Sequence, residues 1–172
     1  LATGTVEINL YRPEGAAAEE LRLKLYHRDH PLPLSDVLPI LENMGLKVID
    51  EIPHRIEPRD VGRPVWIHDF GMVMRSGAKV AVADAKPLFE DALARVWAGE
   101  AENDGFNRLV LIAGLAWREV TVLRAFCKFL LQAAIPFSQA YMEDTLARNP
   151  SIARITVALL EALFDPDAQD KA

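Results

Sequence analysis

The segment at residues 33–51, PLSDVLPILENMGLKVIDE, constrains the fold most because a helix start, a helix stop and a strand follow one another directly. Ser35 can cap the helix through its hydroxyl, and Asp36 places negative charge at the positive end of the helix dipole. Gly45 then supplies the left-handed residue that commonly ends a helix. Because so short a helix is marginal alone, we expect it to pack on a sheet.

Two alternating runs before this segment predict a β-hairpin. Apolar residues occupy every second position in TVEINLY, at residues 5–11, and again in LRLKLYH, at residues 21–27. A period of two is typical of strands with one buried face. Pro13 and Gly15 interrupt the pattern between the two runs, as a loop requires.

A third strand is predicted directly after the helix, in KVIDEIPHRIEP at residues 47–58. In a regular strand, Val48, Ile52 and Ile56 share one face. Pro53 has no N–H to donate to a neighbouring strand. It therefore indicates an edge strand or a bulge.

The order of the elements predicts an α+β fold. A strand at 65–74 and a helix from about residue 84 to residue 97 complete the order strand, strand, helix, strand, strand, helix. The ferredoxin-like plan runs strand, helix, strand, strand, helix, strand, so here the last strand is missing and an extra one comes first. We expect residues 5–11 to fill the open edge beside strand 21–27, with the helices on one face of an antiparallel sheet. This module is assigned to residues 1–103.

Residues 104–172 predict an all-helical segment. A helix at 117–133 has a single polar stripe and is otherwise apolar, so we expect burial on several sides. Ser138 caps a second helix, and a third begins at Pro150 and stops at Asp165-Pro166. The polar stripe consists of Arg118, Thr121, Arg124, Lys128 and Gln132, and the last helix carries Ile152, Ile155, Leu159 and Leu163 on one stripe.

Charge and cysteine usage exclude several classes of protein. A net charge of −6 argues against nucleic-acid binding, which needs clustered Lys and Arg. No apolar run is long enough to span a membrane, and no signal peptide is visible. The lone Cys127 cannot form an internal disulfide, which favours the cytoplasm. Because the chain starts at Leu1 without an initiator Met, we interpret it as a piece of a larger protein.

The loop RDHPLPLSD, at residues 28–36, is the candidate ligand site. It joins a strand end to a helix N-terminus, where free backbone N–H groups attract anions such as an amino-acid carboxylate. The candidate ligand-binding residues are Asp29, His30, Ser35 and Asp36. In the alternative interpretation, which we favour, Ser35 and Asp36 already satisfy these donors.

Other candidate sites are weaker. His27, Asp29 and His30 lie together, but a polar loop explains them better than a metal site, so no metal ligands are assigned. Gly114 stands alone and gives no dinucleotide fingerprint, and a helix is favoured there. No catalytic residues are assigned. Tyr26, Phe126 and Phe129 are interpreted as core aromatics, and Cys127 as a small core residue.

Long strings of this sequence resemble the large NAD-specific glutamate dehydrogenases of bacteria. The likeness covers roughly residues 20–165, through LRLKLYHRDHPLPLSDVLPILENMGLKVIDEIPHRIEP, VWIHDF and DGFNRLVLIAGLAWREVTVLRAFCKFLLQAAIPFSQAYMEDTLARNP. It lies in the region before the catalytic domain, where the family carries ACT-type modules of ferredoxin-like plan. In other proteins such modules often bind amino acids and regulate an attached enzyme.

The resemblance implies that the parent enzyme converts L-glutamate and NAD to 2-oxoglutarate, ammonia and NADH. The dinucleotide fold and catalytic lysines of that chemistry have no match in these residues, so we expect the fragment itself to be inactive and to bind no NAD. Ligand-binding ACT modules often have a glycine in the strand-to-helix loop, whereas residues 28–36 contain prolines and no glycine.

Two hypotheses follow for the role of the fragment. One is a regulatory module that senses an amino-acid effector. The other is a structural module without a ligand, which holds together the subunits of a homo-oligomer. Other regions of the parent enzyme are expected partners in both cases. The proline-bearing loop favours the structural role.

Overall fold

The computed structural model describes residues 6–57 and 62–164, which form a four-stranded sheet followed by helices. The strands are β1 (Glu7–Tyr11), β2 (Glu20–Arg28), β3 (Leu46–Ile56) and β4 (Val65–Met74). The helices are α1 (Leu34–Asn43), α2 (Val82–Trp97), α3 (Leu109–Ala113), α4 (Trp117–Gln132), α5 (Gln139–Arg148) and α6 (Pro150–Phe164), with a short 3-10 turn at Gly105–Arg108. In the described part of the chain, no helix combines the length and apolarity that crossing a bilayer requires.

The sheet is antiparallel throughout and has the strand order β1-β2-β4-β3. The first strand lies at an edge beside β2, with Leu10 opposite Leu23. In turn, Leu23 lies opposite Phe70 on β4. This arrangement confirms that the N-terminal strand fills the position that the missing last strand leaves open.

One face of the sheet forms the core. Alternation on β2 buries its leucines completely, while Arg22 and Lys24 face the other side. Helices α1 and α2 supply Leu41 and Phe89 to the same core, and both are fully buried. The prediction of an α+β ferredoxin-like sheet with its helices on one face, followed by helices alone, is confirmed.

Helix α1 begins earlier than its sequence suggests. The N-cap is Pro33, whose extended backbone (φ −64°, ψ 129°) leaves its carbonyl free to accept from Asp36 N at 3.0 Å. Ser35 therefore lies inside the first turn, and its hydroxyl bonds to Asp36 Oδ1 at 3.3 Å instead of capping. The prediction of a Ser35 cap is wrong because the helix begins at Leu34, so Ser35 lies within the helix and not at its N-cap.

Gly45 ends α1 as predicted. It has φ 82°, and its N–H donates to Glu42 O at 3.0 Å. A Cβ at this position would lie 3.2 Å from Arg108 Cβ, so the helix end also packs tightly against the 3-10 turn.

We expect Gly45→Val to lower the free energy of unfolding by about 2 kcal/mol or more, because a β-branched residue is strained at positive φ. Gly77→Val is the matched control: Gly77 also has positive φ, but a Cβ added there would meet nothing within 4 Å. Urea unfolding of both variants measures the difference. Equal losses would show that the contact with Arg108 adds nothing.

Strand β3 contains a bulge that the sequence pattern concealed. The register with β4 shifts between Val48 and Asp50, so Val48 lies opposite Met72 on the core side, whereas Ile52 lies opposite Asp69 on the open side. An extra residue in one strand reverses the faces of all residues beyond it. The prediction that Val48, Ile52 and Ile56 share a face is therefore wrong. Pro53 lies on an edge strand, as expected.

The helical segment continues the core of the sheet module. Buried residues on α3 and α4 belong to the same apolar cluster as those of the sheet. Gly114 follows α3 in a left-handed conformation, which confirms the predicted helix there. Ser138 Oγ accepts from Tyr141 N at 3.2 Å and caps α5 as predicted. The division at residues 103 and 104 stays a prediction, and the stop at Asp165-Pro166 lies outside the described residues.

Candidate functional site

The β2–α1 loop, residues 29–33, is held in place by backbone hydrogen bonds. Asp29 has φ 73°, a left-handed conformation that aspartate tolerates better than most residues. Its N–H donates to Pro64 O at 2.9 Å, which ties the loop to the start of β4. His27 Nδ1 lies 2.8 Å from His30 O, and this hydrogen bond links the end of β2 to the loop.

The four predicted ligand-binding residues lie in this region but do not form an enclosed pocket. All four side chains are exposed. Asp29 faces Arg63 at 3.5 Å, and Ser35 and Asp36 bond to each other. Ligand binding by Asp29, His30, Ser35 and Asp36 stays a prediction.

A buried histidine lies under this loop. His68, on β4, is only 3% exposed, and its Nε2 accepts a hydrogen bond from Leu32 N at 3.0 Å. On the other side of the ring, Nδ1 lies 2.8 Å from Glu51 Oε1. The sequence pattern alone gave His68 no role. Its place two residues before Phe70 in an alternating strand could have shown that it faces the core.

The open face of the sheet carries a cluster of charged groups. Arg22 Nε donates to Asp69 Oδ1 at 2.8 Å, and Tyr11 Oη donates to Asp69 Oδ2 at 2.9 Å. Partial burial of the phenol raises the pKa of Tyr11, and the hydrogen bond to Asp69 raises it further. Asp50 also forms an ion pair with Arg22, at 3.2 Å. Its carboxylate lies over Gly71, where the Cβ of any other residue would clash with it.

Helix α4 turns part of its polar stripe inward. Arg124 is 3% exposed and donates to Asp104 Oδ2 at 2.6 Å and to Asn107 Oδ1 at 2.8 Å. These acceptors belong to the 3-10 turn and its N-cap. The expectation that α4 is buried on several sides is wrong, because the face opposite this contact is exposed.

The exposed face of α4 is apolar. Phe129 is 61% exposed and Phe126 is 45% exposed, so their interpretation as core aromatics is wrong. By contrast, Cys127 is buried beside Met142, and burial raises the pKa of its thiol. The apolar residues of α4 and α6 line a groove of about 890 Å³, which we call the α4/α6 groove. It is lined by Arg118, Glu119, Val122, Ala125, Phe126, Phe129, Val157, Leu160, Glu161 and Phe164.

Helix α6 also exposes apolar side chains that an ordinary surface helix would bury. Its buried residues are the small Ala153 and Val157, whereas its larger apolar residues point outward. Ile155 is 67% exposed. Exposed with it are Ile152, Leu159 and Leu163. Contiguous apolar surface of this kind marks an interaction site in soluble proteins.

Two family models match consecutive parts of the chain. Residues 5–85 match the model described as glutamate dehydrogenase, ACT3 domain. Residues 101–166 match the model described as glutamate dehydrogenase, helical motif 3. The first match covers the whole sheet and the second covers α3 to α6.

Individual relatives agree with these models. An NAD-specific glutamate dehydrogenase of Halomonas elongata is 43% identical over 92% of this chain, and one of Pseudomonas aeruginosa is 43% identical over 91%. The corresponding protein of Mycobacterium tuberculosis is 41% identical over 77% of the chain. The chain spans only 10%, 10% and 8% of the lengths of these three relatives.

The fold and the matches define the chain as an ACT-type module joined to a helical motif. Both parts match models of one enzyme, and the relatives bear the same name over most of the chain. The chain therefore belongs to the glutamate dehydrogenase family.

Proposed function

We propose that this chain is a non-catalytic scaffolding region of an NAD-dependent glutamate dehydrogenase. The parent enzyme would convert L-glutamate and NAD to 2-oxoglutarate, ammonia and NADH in the cytoplasm. The observation that carries the scaffolding role is the apolar surface of α4 and α6, which the rest of the described chain leaves open.

We propose that this chain itself holds no NAD site, and the position of Gly114 supports this. Gly114 follows a helix rather than a strand, so the strand, glycine turn and helix of a dinucleotide site are not formed around it. We place NAD binding and the reaction in other regions of the parent. The purified chain should produce no NADH from glutamate and NAD, and measurable NADH would contradict this assignment.

The occupant proposed for the α4/α6 groove is a second copy of this chain. Arg118 and Glu161 bring opposite charges to the same groove, so a two-fold axis can set each against its counterpart in the partner. Phe126, Phe129 and Phe164 line the groove and are exposed, so they can pack against the same side chains of the partner. The groups that would meet their counterparts therefore lie on one surface, as an isologous dimer requires.

We expect the chain to sediment as a dimer, and Phe129→Ser to shift the equilibrium to monomer. Phe129 is largely exposed, so its replacement should leave the monomer folded. Ile52→Ser is the matched control, since Ile52 is 46% exposed but lies on the sheet. Sedimentation equilibrium with circular dichroism measures both properties. A monomer at all concentrations would reject the dimer and leave the groove to other regions of the parent.

A regulatory role with an amino-acid effector is the second candidate. It rests on the β2–α1 loop, which brings Asp29 and His30 near the N-terminus of α1. Titration of the chain with amino acids by calorimetry tests it. Saturable heat with an amino acid would favour the regulatory role, and the absence of heat with every amino acid would favour scaffolding alone.

A further inference from the structure

The hydrogen bonds of His68 fix which ring nitrogen carries the proton. Leu32 N–H can only donate, so Nε2 of His68 must present a lone pair. The single ring proton then lies on Nδ1 and is donated to the Glu51 carboxylate. Both ring nitrogens are satisfied in the neutral imidazole, although the side chain is almost fully buried.

A second proton on His68 is incompatible with this arrangement. In the imidazolium both nitrogens are donors, so Nε2–H would point at Leu32 N–H. Glu51 would still accept from Nδ1. Protonation therefore keeps the contact with β3 and breaks the contact with the loop.

Leu32 is the inner anchor of the β2–α1 loop. Its side chain is 5% exposed and belongs to the core, while its neighbours Pro31 and Pro33 are exposed. Since neither proline has an N–H, the Leu32 amide is the donor that can attach this part of the loop to the sheet.

We propose that His68 is a proton-controlled latch for the β2–α1 loop: the neutral ring holds Leu32, and acidification releases it. The loop opens locally while the sheet stays folded. This property is independent of the scaffolding role, because it concerns a different part of the chain.

Other titratable groups surround the latch on each neighbouring element. Glu51 on β3 contacts the ring directly. His27 on β2 is also buried, and its bond to the His30 carbonyl is made through Nδ1. A donor is needed there, so His27 can keep this bond in either charge state. Among the described residues, further charged or titratable groups near the loop include Arg28 at the end of β2, His30 and Asp29 in the loop, Arg63 beside Asp29, and Asp36 in the first turn of α1.

Nuclear magnetic resonance of the unmodified chain tests the first step. Long-range nitrogen–proton correlation spectra at neutral pH should show His68 as the neutral tautomer with its proton on Nδ1. A proton on Nε2, or a doubly protonated ring at neutral pH, would overturn the proposal.

Amide hydrogen exchange tests the release. Imidazoles in proteins take up a proton over roughly pH 5–8, so protection of the Leu32 amide is measured across that range and corrected for intrinsic exchange. We expect protection of Leu32 to fall about tenfold on acidification, the change in population that one ordinary hydrogen bond sustains. Leu23, in the centre of the sheet, should keep its protection. Constant protection at Leu32, or a parallel loss at Leu23, would overturn the latch.

The variant His68→Gln separates the proton from the hydrogen bond. Glutamine offers an acceptor for Leu32 N–H and a donor for Glu51 but takes up no proton in this range. If the latch is correct, the pH dependence at Leu32 disappears in this variant. A pH dependence equal to that of the unmodified chain would assign it to another group and overturn the proposal.

Discussion

Replacement of Arg124 by Leu is expected to lower the free energy of unfolding by about 3–5 kcal/mol, the usual loss when one partner of a buried ion pair is removed. The Asp104 carboxylate would keep its negative charge at a largely buried position without the guanidinium that neutralises it. The Asn107 Oδ1 atom would also lose the hydrogen bond that it accepts from Arg124. Urea unfolding followed by circular dichroism measures the loss.

Lys128→Ala is the control for this prediction. Lys128 lies one turn after Arg124 on α4 and forms an ion pair with Glu102. Both of these side chains are about half exposed. A surface pair of this kind contributes about 0–1 kcal/mol, so the control should unfold close to the unmodified chain. Similar losses in both variants would mean that burial of Arg124 does not decide its contribution.

Deletion of residues 1–15 is expected to abolish the cooperative fold or cause aggregation. The deletion removes β1, whose Leu10 is fully buried, and opens the hydrogen-bonding edge of β2. Loss of one buried leucine side chain alone costs about 2–5 kcal/mol, which is comparable with the total stability of many domains. An unpaired edge next to an apolar face also invites association.

Thermal unfolding and light scattering test the deletion. Glu14→Ala, in the exposed β1–β2 loop, serves as the control and should change stability by no more than about 0.5 kcal/mol. A shortened chain that stays monomeric with an unchanged midpoint would show that β1 contributes little to the fold.

Much of the fold could be predicted because local signals and burial agree. The alternation in β2, the left-handed Gly45 and the cap at Ser138 each depend on a few neighbouring residues, and each is confirmed. The edge position of β1 followed from the strand order alone, since the ferredoxin-like plan leaves one slot open.

The errors in the sequence-based predictions arise where contacts with residues distant in sequence decide which face of a strand or helix is buried. The bulge in β3 is visible only against its partner β4, so the faces of Ile52 and Ile56 could not be read from spacing. The orientation of α4 depends on Asp104, which provides Arg124 with a buried partner. A polar stripe normally marks the solvent side of a helix, and here part of it marks the contact side.

The candidate site was only partly predictable for the same reason. The loop was identified because a strand end and a helix start adjoin in sequence. His68 and Glu51 lie on two other strands, and only the register of the sheet brings them beneath Leu32.

The position of β1 also has a consequence for folding during synthesis. In the usual ferredoxin-like order the last strand is synthesised after both helices, so the sheet cannot be completed before then. Here all four described strands precede residue 75, so the sheet can assemble before α2 and the helical segment have been made. Nascent chains fold from their N-terminal end. The apolar helices would therefore emerge next to a sheet that is already paired, which gives them a native surface to pack on as they appear.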